Sequence, residues 1–585
     1  LTNVVVFLPI AGMKCLAGKF LAPFAVTVAA ATFVSLFVSF TLTPILAKLS
    51  YGWFGGVNRV LRKAIVPWTW LYARMERFYL WSMGGVFRAP KTFLLAVTAL
   101  CALGFWFLDG KIPSSFSPPV DRADVAIKLE FPADYALGRT HARAEALAGK
   151  IRRDPAVEHV AVQAGKVQGM VGQASQGSYL AEIDVRLVDK RFRAPGSSLD
   201  AVIDRFTALC NEEADVRPIV LNPLLVGGVG QQMRFNVMGD DLDALARIGN
   251  ELTRRLAADP LASQVQNSIR PGRPELRFYP KREVLHDLNV PAAALGYDLR
   301  GTVTGLKTST FTRGDRSFDV RVRCDAREGA DQFDALSLPG PDGRPIPLAA
   351  LAEQRPRLAP TQILRFEKMR EAAIYANPAT GKGNSVVIDR TAELAKEIVP
   401  EGFSTSFSGF AELMQEATEE FSVVMVVAIV LTYLLLAAIL ESWTQPFIIL
   451  LTVPFSYLGL FAALWLTGQE ASIFSLLAGI MLIGVVVNAA ILLIDAANTI
   501  RRTEGVTDMR ALLLAAAARE FRPILMSMFA ALFGMFPMAF GTGLGSELRA
   551  GIGVGAVGGI LVSSVLSLYF IPAFCLAASR RPKKG

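Results

Sequence analysis

The sequence predicts a polytopic α-helical membrane protein that carries an α+β domain between two groups of membrane spans. Its composition is too apolar for an ordinary soluble enzyme, because 52% of the 585 residues are hydrophobic and only 19% are charged. The apolar residues are concentrated at the two ends of the chain, whereas residues 111–420 have an ordinary globular composition. In that middle segment, alternating strand patterns follow one another with amphipathic helix patterns between them.

Eight apolar segments predict membrane helices, since a spanning helix needs about 20 mostly apolar residues. They are residues 1–10, 20–48, 91–109, 421–440, 446–467, 472–499, 521–541 and 549–577. The first is too short to span and lacks the charged region and cleavage site of a signal peptide, so we expect a chain cut within a membrane helix. We therefore expect two spans in residues 1–49, one in 91–110 and five in 416–578.

Basic residues gather beside the spans, and they set the expected orientation. The segment between the second and third spans is rich in lysine and arginine and has one acid, Glu76. Further basic residues follow the sixth span and form the tail at 579–585. By the positive-inside rule these segments are cytoplasmic, which places residues 111–420 in the periplasm. The net charge of +9 therefore fits membrane anchoring, and no nucleic-acid partner is expected.

Residues 50–90 hold apolar side chains at three- and four-residue spacing, with arginines between them. This pattern predicts an amphipathic helix that lies on the cytoplasmic surface of the membrane in contact with lipid. A soluble connecting helix is the alternative. Both ends of the segment lead into membrane spans, which favours the surface helix.

Strand and helix patterns in residues 111–223 predict the order β-α-β-β-α-β, which is the split βαβ or ferredoxin-like unit. The segments are Ala123–Phe131, Leu137–Arg153, Val157–Val162, Tyr179–Val188, Leu199–Glu213 and Val216–Leu221. The pattern starts again at Met233, stops after Ile269 and resumes at Ala372. We therefore expect a second ferredoxin-like unit, built from residues 224–269 and 366–415, with a subdomain at 270–365 inserted into it.

Several stretches give the chain a resemblance to the resistance-nodulation-division (RND) multidrug efflux permeases over essentially its whole length. The segment FAVTVAAATFVSLFVSFTLTPILAKL resembles the family's sixth helix, with its ending at Thr41–Pro44, and KIPSSFSPPVDRAD resembles the segment after the seventh. LAAILESWTQPFIILLTVPF resembles the turn from the eighth to the ninth helix, and GIMLIGVVVNAAILLID resembles the tenth. The stretch from Phe521 to Phe574 resembles the eleventh and twelfth helices.

The resemblance implies that this chain is the C-terminal part of such a permease, with two porter subdomains and a docking subdomain at 270–365. It implies a proton antiporter of the bacterial inner membrane, not an enzyme, that exports drugs or other small hydrophobic compounds without a cofactor. It further implies a homotrimer joined to a periplasmic adaptor and an outer-membrane channel, and a missing N-terminal half that holds the proton-binding acids. An RND-type lipid exporter and a non-transporting receptor or assembly scaffold are the alternatives.

Three polar residues in the C-terminal spans are candidates for proton coupling, because a polar group in the membrane is costly and marks function. By the resemblance, Asn488 on the tenth helix and Ser527 on the eleventh face the missing acids, or they are interhelical contacts only. Asn488 stands where many family members have lysine, so coupling would use hydrogen bonds rather than a charge switch. Asp495 lies two turns after Asn488 and could extend the path, although an interfacial carboxylate near Arg501 and Arg502 is the favoured interpretation.

Glycines make residues 164–178 a predicted flexible loop in the first ferredoxin-like unit. By position it resembles the family's switch loop on the substrate path, which usually carries phenylalanine, whereas this segment carries methionine and valine. Methionine adapts to varied partners, which indicates a different substrate range; a plain surface loop is the alternative. The substrate-path candidates are Gly165, Gly169, Met170, Val171, Gly172 and Gly177.

The sequence predicts neither a metal site nor a nucleotide site. The five cysteines are scattered and form no CxxC motif. The stretch at 380–383 resembles a phosphate-binding loop only in part, because Ala376 stands in place of its first glycine.

Overall fold

The structure is a computed structural model. It describes residues 2–53, 58–118, 120–171, 174–223, 232–269, 273–322, 333, 336–340, 343–359, 363–379, 382–506, 508–543 and 545–579. The chain divides into two compact units, one formed by residues 1–268 together with 364–585 and the other by residues 269–363. The larger unit contains the apolar helices and two α/β sheets, and the smaller unit is a separate α/β body.

Four helices precede the first sheet. They are α1 (Thr2–Ala11), α2 (Leu16–Trp53), α3 (Asn58–Val86) and α4 (Pro90–Leu108). α2 continues through Pro23 and Pro44, which membrane helices tolerate better than soluble ones. α3 buries Tyr79 and Met83 against the C-terminal helices and leaves Trp81 exposed. One side of this helix is therefore packed against other helices, and the other side is exposed.

The first sheet has the strand order β2-β3-β1-β4, with all neighbours antiparallel. Its elements are β1 (Asp124–Glu130), α5 (Leu137–Ile151), β2 (Val157–Val171), β3 (Ala174–Leu187), α6 (Leu199–Asn211) and β4 (Arg217–Leu221). Alternation along β1 sends Val125, Ile127 and Leu129 into one core with side chains of α5 and α6. The residues between them, such as Lys128, therefore lie on the opposite face of the sheet.

The second sheet begins with β5 (Met233–Gly239), α7 (Leu242–Ala257) and β6 (Ala262–Asn267). α7 is capped by Asp241, whose carboxylate accepts hydrogen bonds from two amides of the first turn. The buried Leu245, Leu252 and Leu256 of α7 recur at helical spacing, so one apolar side of the helix packs on the sheet.

Residues 269–363 form the smaller unit. Its elements are β7 (Arg273–Pro280), α8 (Arg282–Asp287), α9 (Ala292–Val303), β8 (Leu306–Arg313), β9 (Arg316–Val322), β10 (Ser337–Pro339), β11 (Pro345–Pro347), α10 (Leu348–Leu351) and β12 (Ala352–Ala359). Antiparallel pairs join β7 to β12, β8 to β9, and β10 to β11. Leu285, Leu295 and Leu348 belong to the core of this unit.

The second sheet continues after the smaller unit. Its remaining elements are β13 (Arg365–Phe366), β14 (Met369–Pro378), α11 (Asn384–Ile398) and β15 (Ser404–Ser408). β14 pairs with both β5 and β6, and β15 pairs with β5. Strands from before and after residues 269–363 therefore belong to a single sheet.

Six helices complete the chain. They are α12 (Phe410–Leu440), α13 (Gln445–Leu450), α14 (Val453–Thr467), α15 (Ile473–Thr503), α16 (Met509–Ala539) and α17 (Ser546–Ala578). In the described part of the chain, seven helical stretches are long and apolar enough to cross a membrane, counting α13 and α14 as one, and α1 is shorter. α14 and α17 approach closely at Gly459 and Gly558, because a Cβ on either would collide with the carbonyl oxygen of the other.

The segment between α4 and β1 is hydrogen-bonded to the short connection between α14 and α15. The Ser115 amide donates to the Ala471 carbonyl at 3.0 Å, and the Ala471 amide donates to the Pro113 carbonyl at 2.9 Å. The Ser114 carbonyl accepts from the amide of Ser385 in α11 at 3.1 Å. The entry to the first sheet, a helix of the second sheet and a turn between membrane helices are thus joined at one place.

Candidate functional site

Asn488 and Asp495 are both exposed on α15, two helical turns apart. The Asn488 side-chain oxygen accepts a hydrogen bond from the Thr2 hydroxyl of α1 at 3.0 Å. Asp495 makes no ion pair or hydrogen bond with another described residue. Of the two basic side chains that the sequence places near it on the same helix, Arg501 and Arg502, the second pairs with Glu441 at 3.6 Å instead.

α1 brings a second polar side chain, Asn3, to its contact with α15. The Asn3 side-chain oxygen is buried and has no hydrogen-bond partner among the described residues, and it lies close to Gly484, where a Cβ would not fit. A buried polar atom without a partner costs about 1–3 kcal/mol, so a further donor at this position would be stabilising. Sequence reasoning missed Thr2 and Asn3, because they begin an apolar run that is too short to span a membrane.

Ser527 occupies a separate position. It is exposed on α16, and its hydroxyl donates to the carbonyl of Ile524 in the same helix at 2.9 Å. The structure therefore places Asn488 and Asp495 on one helix surface and forms no hydrogen bond between Ser527 and Asn488. All three predicted proton-coupling residues lie on surfaces that the described part of this chain leaves uncovered.

The segment predicted as a flexible loop at 164–178 is extended instead, and that prediction is wrong in its conformation. Its residues lengthen β2 and β3 into a long hairpin, whose pairing runs out to Val171 and Ala174. Gly165 has a φ of +87°, and the register of the ladder shifts next to it. A left-handed glycine at such a shift is typical of a β-bulge.

The remaining substrate-path candidates are distributed along this hairpin. Gly169, Met170 and Val171 belong to β2, and Gly177 belongs to β3 beside the ring of Tyr179. Gly172 and the side chains of Met170 and Val171 lie outside the described residues.

The hairpin covers the face of the first sheet that points away from α5 and α6. Its Val167 is almost fully buried and packs with Leu180, Ile219 and Leu221. A second apolar cluster therefore closes part of this face, and the polar side chains beside it are removed from water.

Two charged side chains are fully buried on this face: Lys128 of β1 and Glu182 of β3, which are cross-strand neighbours. The Glu182 carboxylate accepts a hydrogen bond from the Gln168 amide at 2.5 Å. Its other oxygen has no hydrogen-bond partner in the described structure. Burial raises the pKa of Glu182 and of nearby Asp184, and it lowers the pKa of Lys128. An alternating strand pattern does not show whether its polar side meets water, so sequence reasoning missed this pair.

A cavity of about 600 Å³ lies where the two sheets meet the ends of α14 and α17. Four carboxylates and one ammonium group line it, from Asp200, Asp204, Glu470, Glu547 and Lys382. This volume is within the range of small-molecule sites, and the excess of acids favours cationic over anionic occupants. Sequence reasoning missed the cavity, because its lining comes from stretches that are far apart in the chain.

The acids of this cavity differ in their surroundings. The Ser115 hydroxyl donates to Glu470 at 2.5 Å, and burial raises the pKa of Glu470. Burial also raises the pKa of Asp200, whereas Glu547 forms an ion pair with Lys190 at 2.6 Å. Glu470 and Asp200 therefore hold their protons at higher pH than exposed acids do.

Among the residues that the structure describes, no group of three or more His, Cys, Asp or Glu side chains is placed to hold a metal ion. The four described cysteines are free, and Cys324 lies outside the described part of the chain. The candidate sites present carboxyl, amide and hydroxyl groups, whose chemistry is proton exchange and hydrogen bonding.

The sequence matches a known family and a set of curated proteins. The profile of the AcrB/AcrD/AcrF family matches residues 1–579. Multidrug resistance protein MdtC of Escherichia coli O7:K1 is 28% identical over 602 residues, and MdtC of Escherichia fergusonii is 28% identical over 601. Each alignment covers 100% of this chain and 57% of the relative, so the chain spans little more than half the length of these relatives.

The fold also matches solved structures. Two crystal forms of a heavy metal efflux pump superpose on 98% of this chain with TM-scores of 0.84 and 0.83, at 23% identity. The match covers 57% of the pump's own chain. At this identity the similarity is one of fold, and it assigns no substrate.

Proposed function

Because the chain belongs to the AcrB/AcrD/AcrF family, we propose that it forms part of an RND permease that exports drugs or other hydrophobic compounds in exchange for protons. The family and the seven spans make it a multi-pass protein of the inner membrane. The curated relatives named above are multidrug resistance proteins, which supports the drug class. The observation that carries proton coupling is the exposed side of α15 with Asn488.

We assign the first sheet and its two helices, within residues 111–223, as one porter subdomain. The strand order β2-β3-β1-β4 with α5 and α6 in one core supports the ferredoxin-like, or split βαβ, arrangement. We assign the second sheet, within residues 224–269 and 366–415, as the other porter subdomain. Residues 270–365 are then the docking subdomain.

The proposed orientation places residues 111–420 in the periplasm and α3 on the cytoplasmic surface. The basic residues that flank the spans support it. In this orientation, the complete permease forms a homotrimer whose docking subdomains meet a periplasmic adaptor and an outer-membrane channel. Small hydrophobic compounds enter from the periplasm or the inner membrane.

The proposed proton path passes the side of α15 that carries Asn488. An asparagine takes up no proton at ordinary pH, so it acts through hydrogen bonds. Its side-chain oxygen accepts from Thr2, and its amide NH2 group can donate to a carboxylate. Protonation of that carboxylate would weaken the hydrogen bond, which links the proton to the contact between helices. We place the carboxylate in the part of the permease that lies outside this chain.

The test is Asn488→Ala in the permease formed by this chain and the N-terminal half. We expect proton-coupled export to fall about ten-fold, the equivalent of about 1.4 kcal/mol, with trimer assembly intact. Leu492→Ala is the matched control, because Leu492 is exposed one turn further along α15. Unchanged drug resistance and proton flux in the Asn488 variant would leave that residue only as an interhelical contact.

Lipid export is the alternative function, and one experiment distinguishes it from drug export. Accumulation of a fluorescent drug and the lipid content of the outer leaflet can be measured in the same cells. A change confined to lipid would contradict the drug class while leaving the transporter assignment in place.

A further inference from the structure

An apolar groove of about 250 Å³ lies between α3 and α16. Three side chains of α3 and three of α16 line it: Leu71, Tyr72, Met75, Leu525, Met526 and Phe529. On each helix the lining residues recur at three- and four-residue spacing, so each helix contributes one continuous side to the groove. No part of the proposed export path accounts for this groove.

Two tyrosines of α3 hold it against α16 beside the groove. Tyr79 stacks on Phe521 with ring centroids 4.7 Å apart, and its hydroxyl donates to the Leu568 carbonyl at 2.9 Å. The Tyr72 ring lies 5.7 Å from the same Phe521 ring. Met75 and Tyr72 are only half-buried, so the groove beside them is open at the surface.

One end of the groove is polar. The Arg522 guanidinium lies 5.7 Å from the centre of the Tyr72 ring. The Tyr72 hydroxyl is buried and has no hydrogen-bond partner among the described residues. A guanidinium beside an unused hydroxyl donor matches the needs of a phosphate group, which accepts several charge-assisted hydrogen bonds.

Two acids lie near this end. Glu76 lies one turn after Tyr72 on α3 and acts on the Tyr72 hydroxyl together with Arg522, and Glu520 is 3.9 Å from Arg519. In residues 71–77 of α3 and 519–529 of α16, arginines nevertheless outnumber acids by four to two. The arginines are Arg74, Arg77, Arg519 and Arg522.

The other end of the groove continues as an apolar stripe along α16. Met526, Phe529 and Phe533 follow Arg522 by four, seven and eleven residues, which places Phe533 about 16 Å beyond Arg522 along the helix. Met526 and Phe533 are 62% and 68% exposed. One leaflet of the membrane core is about 15 Å thick. The charged end and the apolar stripe therefore have the spacing of a phospholipid headgroup and its acyl chain.

We propose that this groove binds one anionic phospholipid of the cytoplasmic leaflet. Its phosphate lies against Arg522 and the Tyr72 hydroxyl, and one acyl chain fills the groove and follows the stripe to Phe533. The cytoplasmic leaflet is the one that carries α3 in the proposed orientation, and basic segments there attract anionic lipids. The site rests on that orientation and is independent of which compound is exported.

The test uses the full chain, purified in detergent, stripped of lipid and titrated with phosphatidylglycerol or phosphatidylcholine under native mass spectrometry. We expect one phosphatidylglycerol to bind at least about ten-fold more tightly than phosphatidylcholine. Arg522→Gln should remove that preference, and Tyr72→Phe should weaken phosphatidylglycerol binding by a few-fold. Arg88→Gln is the matched control, because it removes the same charge at an exposed position beyond the C-terminal end of α3.

A second variant tests the acyl-chain half of the site. Met526→Trp fills the groove without changing its charge, and it should lower the affinity for both lipids. Equal affinity for the two lipids in the parent chain, or parental binding by Arg522→Gln, would overturn the proposal. Should Arg522→Gln lower the melting temperature, Tyr72→Phe decides, since it removes one oxygen atom only. These measurements involve no transport, so their failure is distinct from a failure of the export function.

Discussion

Lys128 and Glu182 place opposite charges on a sheet face that the β2–β3 hairpin covers. Neither side chain is exposed to water, and burial shifts the pKa of each toward its neutral form. Removing two charges from water costs several kcal/mol per ion, and their mutual attraction offsets only part of this. The pair therefore adds little to stability.

The first prediction concerns this pair. Lys128→Met leaves Glu182 buried without its opposite charge, and we expect the free energy of unfolding to fall by roughly 3 kcal/mol at neutral pH. The double variant Lys128→Met with Glu182→Leu should recover most of that loss, because two apolar side chains replace two buried charges. Thermal unfolding of the purified chain measures both.

Lys150→Met is the control, since the Lys150–Glu213 pair is on the surface and is worth less than about 1 kcal/mol. Equal losses of stability in the two single variants would contradict the prediction.

The second prediction uses the raised pKa of Glu470. The folded protein holds the Glu470 proton more tightly than the unfolded chain does, so the free energy of unfolding decreases as pH rises above the ordinary value of 4.5. That decrease ends when Glu470 is ionised in the folded state as well. Glu470→Gln keeps an acceptor for Ser115 and removes the titration. The melting temperature of the variant should therefore rise relative to that of the parent as pH rises from about 4 to 8.

Glu401→Gln controls for the loss of one negative charge, because Glu401 lies on an exposed turn. A difference between Glu470→Gln and the parent that stays constant across this pH range would show that Glu470 titrates like an exposed acid.

Among the elements, the spans and strands follow from the sequence, whereas the hairpin and the cavity do not. Apolar runs and period-two alternation are local signals, and they give the helices and most strands directly. The glycines at 165, 169, 172 and 177 also signal a loop locally, but each strand of the hairpin supplies the hydrogen bonds that the other needs. The buried state of Lys128 and Glu182 likewise depends on that hairpin folding back over the sheet. The hairpin and the buried pair depend on contacts between separate segments of the chain. The periodicity of a single segment carries no information about such contacts.

The third prediction tests the close contact of α14 and α17. Gly558→Ala places a methyl group against the Gly459 carbonyl, so the helices must separate. We expect the free energy of unfolding to fall by about 2 kcal/mol. Gly534→Ala on α16 is the matched control, because a Cβ there meets no atom within 4 Å. Alanine is the better helix former, so the control should be neutral or slightly more stable. Melting temperatures in detergent compare the two, and equal effects would show that the contact is looser than described.

On the scale of the whole molecule, the elements of the fold are present, whereas the predicted coupling residues lie on surfaces that the described part of the chain leaves uncovered. Two sheets, seven spanning stretches and the separate unit at 269–363 are all present, and the likeness to a heavy metal efflux pump extends over 98% of the chain. The predicted coupling residues nevertheless face outward on α15 and α16. The sequence predicts these residues and the helices that carry them. It does not predict the direction in which they face, because that depends on which helices pack beside them.

The last prediction follows from those open surfaces. The chain alone should confer no drug resistance, because Asn488 and Ser527 take up no proton and no described carboxylate forms a hydrogen bond with either. Co-expression with the N-terminal half of a permease of the same family should restore export, since in the proposed arrangement the exposed side of α15 then meets the part of the permease that carries the proton-binding carboxylate. Drug resistance is measured in cells that lack their own pumps, with protein levels checked by immunoblot. Resistance conferred by the chain alone, at matched expression, would show that proton coupling is contained within it and would turn attention to Asp495 and Glu470.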